Sequence, residues 1–160
     1  MAVEQVILVD ENDNQIGLMP KMEAHEKALL HRAFSVFTFN NKGELLLQQR
    51  AADKYHSPLL WTNTCCSHQR NGETSLEAGK RRLQEEMGFT CELEEVFSFI
   101  YKAPFDNGLT EHELDHVMVG NYNESPMTLE DVKVDMERNP KIYTAWFTII
   151  FNEYYHRIVD

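Results

Sequence analysis

Residues 73–88 constrain the chain most, because they fix one helix at both ends. Thr74 and Ser75 are of the type that caps a helix N-terminus, and Gly88 is a natural terminator. Between them Leu76, Leu83 and Met87 keep one apolar stripe. At about 100° per residue, Glu86, Arg82 and Gly79 fall almost on one line beside that stripe. One flank should therefore pack while the neighbouring one presents charge. A glycine inside a helix costs about 1 kcal/mol relative to alanine, so Gly79 predicts a close approach to the backbone. Glu77 with Arg81, and Arg81 with Glu85, are also ordinary i,i+4 pairs, so a merely solvated charged face accounts for them equally well.

Around this helix the punctuation is that of strands. Residues 3–9 are strand-like, and the run Asp10-Glu11-Asn12-Asp13-Asn14 followed by Gly17 predicts a turn. Residues 33–40 carry Phe34, Val36, Phe37 and Phe39; Asn41-Lys42-Gly43 then precedes residues 45–49, which predicts a second hairpin. Strands are expected over 96–101 and 113–122, and an aromatic-rich terminal helix over 140–158. Strands mixed with few helices predict an α+β fold, an α/β/α sandwich with a mixed sheet. With 160 residues and 42% apolar content, a single domain spanning 1–160 is expected.

Fifteen basic residues stand against 26 acidic ones, a net charge of −11. That balance disfavours nucleic acid and anionic membranes as partners, so an anionic ligand must be met by locally clustered cations. No apolar run reaches the roughly 20 residues needed to cross a bilayer, and no leader-like pattern opens the sequence. Cys65, Cys66 and Cys91 form an odd set with two adjacent members, unlike a secreted disulfide framework. Free thiols in a reducing, cytoplasmic compartment are expected.

Residues 61–68 place a tryptophan, two thiols and an imidazole just before the helix. Adjacent residues of an extended chain point to opposite sides, so one of Cys65 and Cys66 should be chemical and the other packed. Seven histidines offer nitrogen ligands, and taken singly each is more often a surface or satisfied residue than a ligand. Glu111 and Glu113 are two apart, so on a strand they point the same way, roughly 6.6 Å from each other, close enough to share an ion. Imidazoles joined to two such carboxylates would suit a borderline divalent ion such as Mn²⁺ or Zn²⁺. His112-Glu113-Leu114-Asp115-His116 spells the H-E-x-x-H motif of zinc peptidases, but that motif works only on a helix, and here the flanking residues predict a strand.

Glu73 with Arg81, Arg82, Leu83, Gln84, Glu85, Glu86, Met87 and Gly88 resembles a Nudix box. The match departs in two places: Ser67 stands where the box opens with glycine, and Arg82 where a glutamate follows the arginine. In Nudix hydrolases that glutamate helps hold the metals that activate water, so a cation there argues against pyrophosphate hydrolysis and for a grip on substrate phosphate. With residues 61–68 this pattern resembles isopentenyl-diphosphate isomerase, type I, and the resemblance spans essentially the whole chain.

The resemblance implies an enzyme that interconverts isopentenyl and dimethylallyl diphosphate by protonation and deprotonation through a carbocation-like intermediate. It assigns catalysis to Cys66, Glu113 and Tyr101, and substrate binding to Lys21, Arg50, Lys54, Arg82 and Trp146. It implies a Mn²⁺ or Zn²⁺ site at His25, His31, His68, Glu111 and Glu113, and Mg²⁺ at Glu86 with the Cys66 backbone carbonyl. The box helix just downstream is expected to favour the Cys66 thiolate. Ala145 stands where the family has proline before the tryptophan. The expected partner is the small isoprenoid diphosphate alone, with the protein a monomer or weak homodimer. A nucleotide-diphosphate hydrolase and a non-catalytic metal-stabilised binding domain are the rival expectations.

Overall fold

The computed structural model of the chain describes residues 4–50, 59–105, 107–123 and 127–159. Strands β1 (Gln5–Val9) and β2 (Gln15–Pro20) form the first expected hairpin. Asp10 closes its turn, with Oδ1 accepting from the backbone N–H groups of Asn12 at 2.9 Å and Asn14 at 3.0 Å. A short helix, α1 (Lys21–Glu26), follows, which the sequence pattern did not predict. Six residues are too few to show a helical apolar period.

Strand β3 (His31–Phe39) is the central strand. The expected second hairpin forms only as far as β4 (Glu44–Leu45). Thr64 intervenes there: its hydroxyl donates to the Leu46 carbonyl at 2.6 Å and accepts the Thr38 N–H at 2.9 Å, replacing ladder bonds. The chain leaves the sheet, and β5 (Gln48–Gln49) pairs instead with β6 (Trp61–Thr62). Strand β7 (Cys65–Ser67) then lies antiparallel to the middle of β3, with Ser35 opposite Cys66 and Val36 opposite Cys65.

Helix α2 (Ser75–Met87) has the predicted ends. Thr74 and Glu77 form a reciprocal capping box, and Gly88 closes the helix at φ 77°. The packed flank differs from expectation, since Leu76 is 40% exposed while Ala78, Gly79 and Leu83 are buried. The helix sits so close to the sheet that a Cβ on Gly79 would lie 2.8 Å from Met118 Cε and 2.9 Å from Leu93 Cδ1. The predicted close approach exists, and it is core packing.

Strands β8 (Leu93–Pro104) and β9 (Thr110–Asn121) form a long antiparallel pair, and β9 runs parallel to β3 with His31 opposite Glu113. After β10 (Met127–Thr128), an unpredicted helix α3 (Leu129–Arg138) precedes the terminal region. The terminal helix expected over 140–158 is split into a 3-10 turn, Pro140–Ile142, and α4 (Ala145–Val159). Between them Tyr143 is extended and the Thr144 N–H donates to Trp61 O at 2.9 Å, so strand-like pairing interrupts the helix. Helix α2 packs on Phe34, Val36, Cys65 and Met118 on one face, while Phe147 and Ile150 of α4 pack with Phe37, Phe99 and Val117 on the other. The result is the expected α/β/α sandwich with a mixed sheet.

Candidate active site

Four donors from four parts of the chain meet at one end of the sheet: His25 of α1, His31 of β3, His68 just after β7, and Glu113 of β9. One ligand atom from each lies within 4.8 Å of all the others. His25 Nδ1 donates to Lys21 O at 2.7 Å and His31 Nδ1 to Leu29 O at 2.9 Å. Each backbone carbonyl fixes a tautomer and directs Nε2 inward, as second-shell partners of metal-binding histidines do. His31 Nε2 and His68 Nε2 lie 3.0 and 2.8 Å from the same oxygen, Glu113 Oε2. Burial pushes the His25 imidazole down to about 4, which keeps it a neutral ligand. Burial also opposes charge on His31, but the hydrogen bond and charge of Glu113 outweigh it and raise the ring above its usual range. Burial alone would raise Glu113; the bonds from His31 and His68 instead hold it well below the usual carboxylate range. This buried mixed set fits a divalent ion.

Glu111 stands outside that group of four. Its side chain shares the Tyr101 phenol with Glu113, the hydroxyl being in hydrogen-bond contact with one oxygen of each carboxylate. The phenol thus bridges the two carboxylates from one side. Burial, with the two glutamates beside it, raises the Tyr101 phenol well above its ordinary value.

A cavity of about 800 Å³ opens beside this cluster, and Lys21, Arg50, Cys66, Arg82, Glu86 and Trp146 line it together with Glu111 and Glu113. Lys54 lies outside the described residues. Arg50 sits over the Trp146 ring at 5.2 Å from its centroid. Lys21 pairs with Glu4 at 3.1 Å. Cys65 and Cys66 do point to opposite sides. Cys65 is buried against α2 and donates its thiol to Glu86 Oε2 at 2.9 Å, whereas Cys66 faces the cavity.

A Nudix domain matches residues 29–149. The isopentenyl-diphosphate Delta-isomerase 2 of Aromatoleum aromaticum is 48% identical over 155 residues, covering 89% of this chain and 82% of that protein. The isopentenyl-diphosphate Delta-isomerase of Serratia proteamaculans is 47% identical over 162 residues, covering 94% and 90%. The chain belongs to the isopentenyl-diphosphate Delta-isomerase family. Solved structures carry the fold further afield. Protein DR0079 of Deinococcus radiodurans matches with a TM-score of 0.67 at 20% identity over 84% of this chain and 90% of its own. The MutT protein of Methanosarcina mazei matches at 0.60 and 19%, over 79% and 94%.

Against this isomerase-family background, one expectation about the thiol is corrected. Burial pushes the Cys66 thiol up, with Glu86, Glu111 and Asp115 adding to the effect and the charge of Arg50 opposing it, so the surroundings favour the thiol over the thiolate. The peptidase motif is not assembled: it lies on β9, where His112 Nδ1 contacts Ala28 O at 3.1 Å and His116 sits between Glu95 and Asp13 at 2.6 and 2.9 Å. Arg81, the box arginine, binds Glu73 through Nε at 2.6 Å and through Nη2 at 3.0 Å, tying the approach loop to α2. Sequence reasoning missed Ser35 and Asp115, both buried on the cavity face of the sheet. A serine inside an apolar strand, and a third acid at the next same-face position after Glu111 and Glu113, are the signals that pointed to them.

Proposed function

We propose that this chain interconverts isopentenyl diphosphate and dimethylallyl diphosphate in the cytoplasm, as a monomer or weak homodimer, by adding a proton at one end of an allylic unit and removing one at the other. A single arrangement carries the reading: Cys66 and Glu113 both line the cavity while standing on opposite sides of β3. Two strand spacings, roughly 10 Å, separate their strands, and the two residues are also offset along β3, Cys66 opposite Ser35 and Glu113 opposite His31. A small alkene lying over β3 would meet one group on each side.

Glu113, hydrogen-bonded by Tyr101, and Cys66 are the two proton-transfer groups, one giving a proton to the terminal alkene carbon and the other accepting one across the tertiary centre. The Tyr101 phenol bridging Glu111 and Glu113 supports Glu113 in that role. The cavity-facing thiol supports Cys66, since a thiol of raised pKa yields a strongly basic thiolate. Because the reaction is reversible, each group is acid in one direction and base in the other. The Trp146 ring, itself buried at the cavity wall, offers a π face to positive charge. Lys21, Arg50 and Arg82, with Lys54, grip the diphosphate. His25, His31, His68 and Glu113, with Glu111 adjacent, would hold Mn²⁺ or Zn²⁺, and Glu86 with the Cys66 carbonyl Mg²⁺. These ions would supply positive charge beside the carboxylates and the diphosphate.

The test is incubation of purified protein with isopentenyl diphosphate and Mg²⁺ in deuterated water, followed by proton NMR. Dimethylallyl diphosphate carrying deuterium is the expected product. An unshifted olefin accompanied by phosphate release would replace this reading with hydrolysis.

A further inference from the structure

Beneath the cavity lies a buried polar pair that the proposed chemistry leaves unused. Ser35 and Asp115 are each 1% exposed, on neighbouring strands β3 and β9. Ser35 Oγ donates to Asp115 Oδ2 at 2.7 Å. Burying a hydroxyl and a carboxyl group beside Phe37 and Val117 costs free energy that their mutual hydrogen bond offsets.

The ladder shows what Ser35 faces. It stands directly opposite Cys66 in the antiparallel pairing of β3 with β7, and both residues line the cavity. Opposed residues of such a pair share one face, with Cβ atoms about 4.5–5.5 Å apart. A serine hydroxyl has one proton and two lone pairs. With that proton given to Asp115, the lone pairs of the Ser35 oxygen are left for a further donor, and Cys66 is its neighbour across the ladder. Asp115 in turn lies on β9 on the same face as Glu111 and Glu113, so a single row of side chains joins the two sides of the cavity.

We propose that Ser35, fixed as a hydrogen-bond acceptor by Asp115, is a positioning residue that aims the Cys66 thiol into the cavity. The inference rests on the reading of Cys66 as a proton-transfer group. It adds a support for that thiol: a serine–aspartate pair that never touches the reacting carbons and acts through the orientation of sulfur.

Three variants and two readouts decide it. Ser35→Ala removes the acceptor, Ser35→Thr keeps it, and Asp115→Asn keeps the shape but offers Ser35 a donor as well as an acceptor. In isomerisation kinetics with isopentenyl diphosphate, Ser35→Ala should lower kcat roughly 10- to 100-fold, as expected for a misplaced reacting group, with KM little changed. Ser35→Thr should restore most of that loss, and Asp115→Asn should fall between. Independently of turnover, the rate at which iodoacetamide alkylates Cys66 at fixed pH, read by peptide mass, should change several-fold in Ser35→Ala while the rate at Cys91 stays constant. Wild-type kcat and wild-type Cys66 alkylation in a folded Ser35→Ala protein would overturn the proposal, as would equal losses in Ser35→Ala and Ser35→Thr. If the unaltered protein shows no isomerisation, the functional reading fails, and the alkylation rates still decide whether Ser35 governs Cys66.

Discussion

Arg82 Nη2 lies 2.6 Å from Glu86 Oε1, one turn along α2, and the other oxygen of Glu86 accepts the Cys65 thiol. Arg82 stands where the Nudix box places a glutamate, and its second amino group, Nη1, is held by Glu85 at 2.9 Å. The guanidinium is thus pinned at the cavity edge by two carboxylates that an incoming diphosphate must rival. Replacing it by alanine should raise KM for the diphosphate by about 10- to 100-fold, the range for losing one charge-assisted contact, with a smaller effect on kcat. Steady-state kinetics check this; a KM unchanged within error would remove Arg82 from the grip.

Cys66→Ala should lower turnover by about 10²- to 10⁴-fold, the usual contribution of one positioned proton-transfer group. Bound metal and the thermal midpoint should stay near those of the parent, because the side chain lies at the cavity wall. Cys65→Ala should do the reverse, sparing turnover and lowering stability, since Cys65 is fully buried against α2. Metal analysis and thermal melts on both variants separate the roles.

Gly79→Ala should destabilise the fold by about 1–3 kcal/mol through overpacking. The added methyl would press on Met118 and Leu93, and only side-chain shifts of both can relieve it. Urea unfolding with an unchanged m-value reads the loss directly.

In metal-stripped protein, stability should fall as pH drops from 6.5 towards about 4. Across that window unfolded His25 takes a proton that the folded protein refuses. His31, whose folded value is raised by Glu113, works the other way and gives its stabilisation at low pH. The His25 contribution is isolated by comparison with His25→Gln, whose stability curve should be flatter below pH 6.5.

Local chemistry made α2 legible: a capping pair, a terminal glycine and an apolar period all lie within one short stretch. The long strands β8 and β9 were legible for a similar reason. What escaped depends on partners distant in sequence. Leu76 faces solvent because the sheet approaches α2 at Ala78 and Gly79, and the terminal helix breaks at Tyr143 because Trp61 pairs with that backbone. His25, His31, His68 and Glu113 were named from the sequence, yet their meeting depends on the parallel register that sets His31 opposite Glu113. Ser35 was hidden in an apolar run, and only the ladder reveals that it faces Cys66.

The four clustered donors come from α1, β3, the end of β7 and β9, so an ion held by them would tie together stretches that the chain itself leaves far apart. It would act as a removable cross-link, closing loops whose ordering otherwise costs entropy. Chelation should then loosen the first hairpin and α1 before the rest of the sheet, visible as faster amide exchange in α1 than in β8. Metal supply would govern the lifetime of the folded protein as well as its rate of turnover.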